Sequence, residues 1–278
     1  MLVVDHYPKG RKKNMMSVLG NFMFQAPASF VVSTMSVVSL VSLASGGWSE
    51  IRGKHMNYSK FWNVNTTGQK HFNLSTKLGM LLLYTPAFLA SAASFCFFPN
   101  QGVRSTILHS SLTFHFFKRI LEVLFVHKYS GYMTLDTAIP ICLSYFLTTT
   151  TMIYAQHLTN GLQQPPINLL YPGIVLFLLG MSGNFYHHYL LSKLRKKGER
   201  EYKIPKGGMF EFVICPHYLF EIIEFYGICF TSQTLYALCF STGTALYLIG
   251  RSYATRNWYL SKFEDFPKHV KAIIPFVF

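Results

Sequence analysis

The sequence predicts an all-α fold, an integral membrane bundle of seven transmembrane helices, from three observations. Of the 278 residues, 50% are hydrophobic and only 13% are charged, and the mean hydropathy is +0.26. This composition is more apolar than that of an ordinary soluble domain. Seven apolar runs each have close to the roughly 20 residues that a spanning helix needs. Most of the 25 Lys and Arg residues lie between these runs, as expected for loops at membrane surfaces.

The apolar runs follow one another without an internal repeat or a low-complexity linker. We therefore expect one membrane-embedded domain over residues 26–278, preceded by an N-terminal tail over residues 1–25. The predicted spans cover residues 26–47, 78–98, 107–126, 133–154, 169–191, 210–230 and 234–253. The first run begins too far into the chain for a cleaved secretory signal and lacks the small-residue ending, so it is predicted to remain as the first span.

The distribution of basic residues predicts the orientation. The loops after spans one, three and five, together with the C-terminal tail, hold most of the Lys and Arg residues, whereas the other side has little beyond Arg104. The positive-inside rule therefore predicts a cytosolic C-terminus. A basic cluster at residues 9–13 favours the opposite orientation, and the sequence leaves this conflict open. Because the basic residues lie between apolar runs, no nucleic-acid partner is expected.

Three of the predicted spans carry polar side chains along one helix face. These stripes are His115, Arg119 and Glu122 in the third span, Asn184, His188 and Arg195 in the fifth, and His217, Glu221 and Glu224 in the sixth. An ionisable residue at the centre of a membrane helix costs roughly 2.5 to 3.5 kcal/mol on insertion scales, so it indicates a site with bound partners. One stripe alone is explained by an internal salt-bridge belt. Three stripes in one bundle predict a shared cavity.

The residue types around this cavity indicate a ligand with several phosphates. Arg and Lys suit a dinucleotide phosphate, and the planar fork of Arg matches phosphate especially well. Acids and amides can orient a neutral amide-bearing ring, and neutral tyrosines can donate a proton. The candidates are the cations Lys54, Lys118, Arg119, Arg195 and Arg251, the ring anchors Glu221, Glu224 and Asn184, and the phenols of Tyr84, Tyr202, Tyr218 and Tyr259. Such a set predicts a reductase for a water-insoluble substrate.

Metal and disulfide chemistry are not expected. The five cysteines lie inside apolar runs without CxxC spacing, which is typical of buried thiols. Adjacent His187 and His188 point about 100° apart on a helix, and no Asp, Glu or Cys lies at ligand spacing on that helix. The nucleotide-binding and protease motifs GKxxGKS, GxGxxG, HExxH and GxSxG are absent from the sequence.

Motifs in the second half of the chain resemble those of a known family. The segment GGMFEF at residues 207–212 and the ending YLSKFEDFPKHVKAIIPF are similar to the C-terminal domain of the steroid 5-alpha-reductase superfamily. The C-terminal signature extends over about residues 115–278, and the resemblance reaches back to the Gly53-Lys54-His55 motif. It implies seven transmembrane helices of the endoplasmic reticulum around an NADPH pocket that opens to the cytosol. Hydride is expected to add to a C=C bond conjugated with a carbonyl.

The resemblance also implies which residues contact NADPH. The matching positions are Lys54, Arg119, Asn184, Arg195, Tyr202, Glu221, Arg251 and Tyr259, with His217 where the family commonly has Asn. Two further positions depart from the pattern, because His188 stands where steroid reductases have Asp and Thr255 replaces a frequent His.

The proton donor is less well matched. Steroid reductases have a Tyr in the third span and an acid in the second, where this chain has Phe116 and Tyr84. The segments HFFKRILEVLF and CPHYLFE instead resemble the enoyl-CoA reductase branch, which implies roles for Lys118 and Tyr218. Tyr218 is the preferred donor, Tyr84 is the second choice, and Lys118 is expected to tune the pKa of the donor. The alternative for Tyr218 is an aromatic anchor at the membrane interface.

The preferred function is NADPH-dependent reduction of a C=C bond conjugated to a carbonyl, of the 3-oxo-5-alpha-steroid 4-dehydrogenase type. The alternative is a trans-2-enoyl-CoA reductase of very-long-chain fatty acid elongation, and a further alternative is an inactive membrane scaffold or receptor. The expected partners are a hydrophobic substrate, either a steroid or a long-chain enoyl thioester, membrane lipids and other enzymes of a lipid pathway.

Overall fold

A computed structural model describes residues 19–26, 28–56, 73–99, 102–129, 131–194, 199 and 201–278. Within these ranges the chain forms seven α-helices. They are α1 (Phe30–Ile51), α2 (Thr76–Phe97), α3 (Gly102–Leu121), α4 (Leu135–His157), α5 (Leu170–Lys193), α6 (Pro216–Ser232) and α7 (Leu235–Lys262). The prediction of an all-α fold with seven helices is confirmed.

Two short strands were not predicted. Strand β1 (Asn73–Ser75) pairs antiparallel with β2 (Tyr132–Thr134), and Leu74 lies opposite Met133. Each strand leads directly into a helix, β1 into α2 and β2 into α4. The Ser75 hydroxyl also accepts a hydrogen bond from Leu78 N at 3.3 Å, which caps α2. The strand pair therefore holds the starts of α2 and α4 together.

The sixth helix begins later than the apolar run suggested. Gly207 has a positive φ of 86°, a 3₁₀ turn covers Gly208–Glu211, and the α-helix begins only at Pro216. The predicted start at residue 210 is therefore wrong. The expectation that the helix begins at Pro216 is confirmed, because proline has no N–H to leave unpaired in a first turn.

The last helix continues beyond its predicted end at residue 253. Helix α7 extends to Lys262, and Arg251, Thr255 and Tyr259 are buried at intervals of four residues along it. This spacing puts the three side chains on one face. Their burial inside the protein stabilises the extra turns, although the local sequence is too polar to continue an apolar run.

Close helix pairs depend on glycines. Helix α5 packs along α6, and α1 packs along α7. In the first pair a Cβ on Gly180 would overlap the backbone of Glu224, and in the second pair a Cβ on Gly250 would overlap the backbone of Gly47. Small residues let helix backbones approach each other in membrane proteins. These two contacts fix the positions of the polar residues on α5, α6 and α7.

We predict that Gly47→Ala destabilises the protein by about 1 to 3 kcal/mol, the usual cost of overpacking. The added methyl group would lie 2.9 Å from the Tyr247 Cα and closer still to the Leu246 carbonyl, so α1 and α7 would have to separate. Gly46→Ala is the matched control, because its methyl group would meet only the Tyr247 ring, 3.2 Å away. Thermal unfolding in detergent measures both variants, and equal melting temperatures would contradict the prediction.

Among the residues that the structure describes, α1, α2 and α4 are long and apolar enough to cross a membrane. The other four helices do not combine that length and apolarity. Helix α3, for example, buries Arg104, His109, His115 and Lys118. The chain is therefore a multi-pass membrane protein whose polar residues are concentrated in particular helices.

The turn between α6 and α7 is held by a buried polar network. Gln233 adopts a left-handed conformation with φ 51°, and its Oε1 accepts hydrogen bonds from Arg104 Nη1 and Leu169 N, both at 2.9 Å. Arg104 Nη1 also donates to Thr231 O at 2.7 Å. The sequence analysis counted Arg104 among the few basic residues of the loops opposite the cytosolic side. The structure instead places it inside the bundle.

Candidate active site

The polar helix faces meet around a cavity of about 650 Å³, which lies within the usual range for small-molecule and cofactor sites. Six of the seven helices, α2 to α7, contribute side chains to its wall. Eight of the predicted site residues line it, namely Tyr84, Arg119, Tyr202, His217, Tyr218, Glu221, Arg251 and Tyr259. The convergence that the three polar stripes predicted is therefore observed.

Arg119 joins three helices at the cavity wall. Its Nη1 donates to Glu122 Oε2 at 2.7 Å and lies 3.1 Å from His188 Nδ1. Its Nη2 donates to the Tyr84 hydroxyl at 2.6 Å, and the guanidinium lies 4.9 Å from the Tyr84 ring centroid. Arginine has only donors, so the Tyr84 oxygen accepts this hydrogen bond. The Tyr84 O–H can therefore still donate a hydrogen bond to another acceptor.

Glu122 follows α3 directly, in a π-helical turn over Glu122–Val126. The turn is closed by a hydrogen bond of 2.8 Å from His127 N to Glu122 O. The Glu122 side chain is only 1% exposed, and its carboxylate lies 3.1 Å from His188 Nδ1 and 3.6 Å from the Lys118 ammonium. Such π-helical turns are frequent at functional sites. This one directs an acid inward among several basic groups.

Glu122, His127 and His188 each offer a possible metal ligand atom, and these atoms lie within 4.8 Å of one another. A divalent cation between them would also face the Arg119 guanidinium, which already donates to Glu122 at 2.7 Å and lies 3.1 Å from His188. Lys118 adds a second positive charge 3.6 Å from the carboxylate. Repulsion by two adjacent cations makes this cluster unsuited to a metal ion.

The loop after the π-helical turn adds two uncharged groups to the cavity wall. Burial lowers the pKa of His127 well below its ordinary value, and the neighbouring His188 and Arg119 lower it further. Burial also raises the pKa of Tyr129. At neutral pH, His127 is therefore a neutral imidazole and Tyr129 a neutral phenol, and both can form hydrogen bonds with a ligand.

Lys118 and Asn184 lie behind the cavity and do not line it. The Lys118 ammonium donates to Asn184 Oδ1, and Asn184 Nδ2 donates to His217 O at 2.9 Å and to Glu221 Oε2 at 3.4 Å. The pair connects α3 and α5 with α6. Both were predicted as site residues, and the structure places them where they position His217 and Glu221.

Glu224, predicted as a ring anchor, also lies outside the cavity wall. Its Oε1 is 2.6 Å from His115 Nδ1, and both side chains are buried. Glu224 belongs to the contact between α3 and α6. Four of the nine stripe residues, His115, Glu122, Asn184 and Glu224, therefore form internal pairs outside the cavity wall, which was the alternative explanation for a polar stripe.

Arg251 lines the cavity and is paired with an acid that the sequence did not single out. Its Nη1 donates to Glu50 Oε1 at 2.7 Å, and Glu50 Oε2 lies 2.7 Å from His55 Nδ1. This pair is buried between the end of α1 and α7. Lys54 is exposed and is not among the cavity residues. Arg195 lies outside the described residues.

Part of the cavity wall is aromatic. Tyr218 and His217 have ring centroids 4.3 Å apart, and the Tyr202 ring packs edge-on against Trp258. The Tyr259 hydroxyl lies 3.5 Å from Lys203 O, to which it donates. Thr255 is buried in this wall, and its hydroxyl has no hydrogen-bond partner among the described residues. An unpartnered buried hydroxyl is costly, so a ligand in the cavity would supply the missing partner.

Several cavity residues were not predicted as site residues. The main ones are His127, Lys128, Tyr129, Tyr145 and Lys203. The run HKY directly after the third apolar stretch was a usable signal, because three side chains able to form hydrogen bonds follow one another at a helix end. Tyr145 had no signal, since it is an isolated phenol in an apolar run. Its ring lies 5.6 Å from the Tyr84 ring and 5.8 Å from the Phe116 ring.

Comparisons with known proteins identify the family of the chain. Residues 132–278 match the family model described as 3-oxo-5-alpha-steroid 4-dehydrogenase. The chain belongs to this family. A steroid 5-alpha-reductase of Gossypium hirsutum is 31% identical over 225 residues, which are 74% of this chain and 83% of the relative. The 3-oxo-5-alpha-steroid 4-dehydrogenase 2 of Macaca fascicularis is 32% identical over 180 residues, 64% of this chain and 70% of the relative.

As a member of the 3-oxo-5-alpha-steroid 4-dehydrogenase family, the protein is an oxidoreductase that acts on CH–CH groups. The match to the family model contains α4 to α7, which supply His188, His217, Tyr218, Glu221 and Arg251. Tyr84 and Arg119 precede the matched residues, on α2 and α3. The family membership expected from the C-terminal motifs is confirmed.

Proposed function

We propose that this family member uses NADPH to reduce a C=C bond conjugated to the carbonyl of a steroid, a 3-oxo-5-alpha-steroid 4-dehydrogenase reaction. The single observation that supports this best is the contact between Arg119 and the Tyr84 hydroxyl in the cavity wall, at 2.6 Å. This contact holds a neutral phenol, whose O–H can still donate a hydrogen bond, beside a fixed positive charge. An arrangement of this kind stabilises an oxygen that gains negative charge during a reaction.

The cavity residues fit a nicotinamide dinucleotide. NADPH carries several phosphate charges, and Arg119, Lys128, Lys203 and Arg251 all line the cavity. Thr255 has a buried hydroxyl that needs a partner. Glu221 and the neighbouring imidazole of His217 would bind the amide-bearing ring, and Tyr202 and Tyr259 would contact the rest of the dinucleotide. When bound, NADPH supplies the hydride that is added to the β-carbon of the substrate.

Tyr218 and Tyr84 are the proposed hydrogen-bond donors to the substrate carbonyl. Both line the cavity, so either phenol can polarise the carbonyl and stabilise the enolate that forms after hydride addition. Lys118 does not line the cavity and reaches the donors only through Asn184 and the His217 backbone. Its proposed role is therefore to position α6, in addition to tuning the donor electrostatically.

Two observations favour a steroid substrate over the alternative acyl thioester. The trans-2-enoyl-CoA reductase hypothesis rested on Lys118 and Tyr218 together, and only Tyr218 lies in the cavity wall. Names of the relatives also support the steroid, since they are called steroid 5-alpha-reductase and 3-oxo-5-alpha-steroid 4-dehydrogenase. We place the reaction in the endoplasmic reticulum membrane, in a bundle of seven spanning helices with a cytosolic C-terminus. Its partners would be membrane lipids and other enzymes of lipid metabolism.

Turnover by membranes that contain the protein tests this function. Membranes are incubated with NADPH and, separately, with progesterone, testosterone, a C20 trans-2-enoyl-CoA and a polyprenol precursor, and the products are identified by mass. We expect the steroids to gain two hydrogens in step with NADPH oxidation. Reduction of the enoyl-CoA alone would favour the elongation enzyme. Turnover equal to that of empty membranes, together with retained NADPH binding, would indicate an inactive scaffold.

A further inference from the structure

His188 has one ring nitrogen bound inside the protein and one that the cavity can use. Nδ1 lies 3.1 Å from Glu122 Oε1 and 3.1 Å from Arg119 Nη1. Within the described part of the chain, Nε2 of this residue has no hydrogen bond. The ring is buried and belongs to the cavity wall. Nε2 of this fixed imidazole is therefore available to a ligand in the cavity.

We propose that His188 is a catalytic residue of the reduction, and that its Nε2 delivers the proton to the α-carbon of the substrate. Glu122 is the positioning residue that holds the imidazolium. This inference rests on the proposed function, because it assigns a proton source to that same reaction. It is separate from the carbonyl donors Tyr84 and Tyr218, which polarise the oxygen and do not need to lose their protons.

The two neighbours of Nδ1 favour different protonation states of the ring. Arginine only donates, so Arg119 can bind Nδ1 only when this nitrogen carries no proton, and Nε2 then carries one. The Glu122 carboxylate only accepts, so it binds Nδ1 when this nitrogen carries a proton. In the imidazolium both nitrogens carry protons, and Nδ1–H donates to Glu122 while Nε2–H is left for a ligand in the cavity. Glu122 favours this charged form, and burial disfavours it.

The proton transfer balances without a further reagent. Hydride addition to the β-carbon converts the C=C π pair into the electron pair of an enolate, and the substrate gains two electrons. A new C–H bond then forms at the α-carbon as the Nε2–H bond breaks, which leaves a neutral imidazole. The Nδ1–H to Glu122 hydrogen bond persists through this step, so the ring does not have to move. Solvent protonates Nε2 again after product release.

The charged and titratable groups near His188 come from several elements. They are Glu122, Arg119 and Lys118 from α3 and its π-helical turn, His127 from the loop, and His217 from α6, whose ring centroid is 5.3 Å from that of His188. Burial, Arg119 and Lys118 oppose the imidazolium, and Glu122 supports it. His127 has a pKa well below its ordinary value, so it does not add a positive charge near neutral pH.

The pH dependence of kcat/KM tests this inference. We expect the wild-type rate to fall as the pH rises and His188 loses its proton. His188→Asn should lower kcat by a factor of about 100 and remove this alkaline limb. Glu122→Gln keeps an acceptor for Nδ1–H but removes the negative charge, so the midpoint of the limb should move to lower pH by about one unit or more. His187→Asn is the matched control. Its ring is bound to Gly183 O and Met209 N outside the cavity, and it should leave the midpoint unchanged.

A second measurement does not depend on turnover. In protein labelled with ¹⁵N-histidine, the resonance that disappears in His188→Asn reports the titration of His188. Its midpoint should fall in Glu122→Gln and stay in place in His187→Asn. An unchanged midpoint in Glu122→Gln, or a wild-type alkaline limb retained in His188→Asn, would overturn the inference while leaving the proposed function intact. A wild-type protein that reduces none of the substrates would contradict both.

Discussion

Arg119→Met should abolish measurable steroid reduction, with a loss of about 10³-fold or more, the upper range for removing one preorganised electrostatic donor. The substitution removes a positive charge from the cavity and the hydrogen-bond donor to Tyr84. It also removes the cation closest to Glu122, at 2.7 Å, and leaves a buried carboxylate with weaker compensation. We therefore expect a loss of stability of about 3 to 5 kcal/mol as well. Turnover and thermal unfolding measure the two effects.

Two further variants separate the chemical role of Arg119 from its structural role. Replacing Arg119 and Glu122 together by Met removes both charges, which often restores stability, and we expect this double variant to fold but to remain inactive. Arg104→Met removes another buried arginine of α3, at the end that binds Thr231 O and Gln233. It should lower stability, while the affinity of the folded protein for NADPH stays the same. Recovery of activity in the double variant would show that Arg119 acts only through the fold.

Tyr218→Phe should lower kcat by a factor of about 100, the usual size of a proton-donor effect, because phenylalanine cannot donate to the substrate carbonyl. The KM for NADPH should change little, since the ring and its contact with His217 are retained. Tyr84→Phe tests the second candidate in the same assay. The comparison decides which phenol binds the carbonyl, and initial rates at saturating NADPH are the measurement.

Tyr226→Phe is the matched control for this series. It lies two turns further along α6, and its hydroxyl is 3.3 Å from the Thr242 hydroxyl, outside the cavity wall. We expect wild-type kcat from it. Retained turnover in Tyr218→Phe combined with a large loss in Tyr84→Phe would transfer the donor role to Tyr84. Retained turnover in both variants would exclude these two phenols as the donor.

The sequence predicted the helices well where one local signal decided them. The start of α6 at Pro216 followed from the missing N–H of proline, and the seven helices followed from the length and spacing of apolar runs. The end of α7 was missed because Arg251, Thr255 and Tyr259 are buried by other helices, and a window of local hydropathy contains no information about such neighbours. The strand pair before α2 and α4 was missed for the same reason, since it joins segments far apart in the chain.

The sequence by itself determined the fold class, the family and the helix faces on which the polar side chains lie. These properties depend on composition, motif spacing and the helical period, all of which are local. Only the tertiary structure decided which polar groups line the cavity and which pair with each other. It placed Arg119 between Tyr84, Glu122 and His188, paired Arg251 with Glu50, and moved Lys118 and Asn184 behind the wall. Such pairings depend on how closely the helices approach, which is set by long-range packing at glycines such as Gly180 and Gly250.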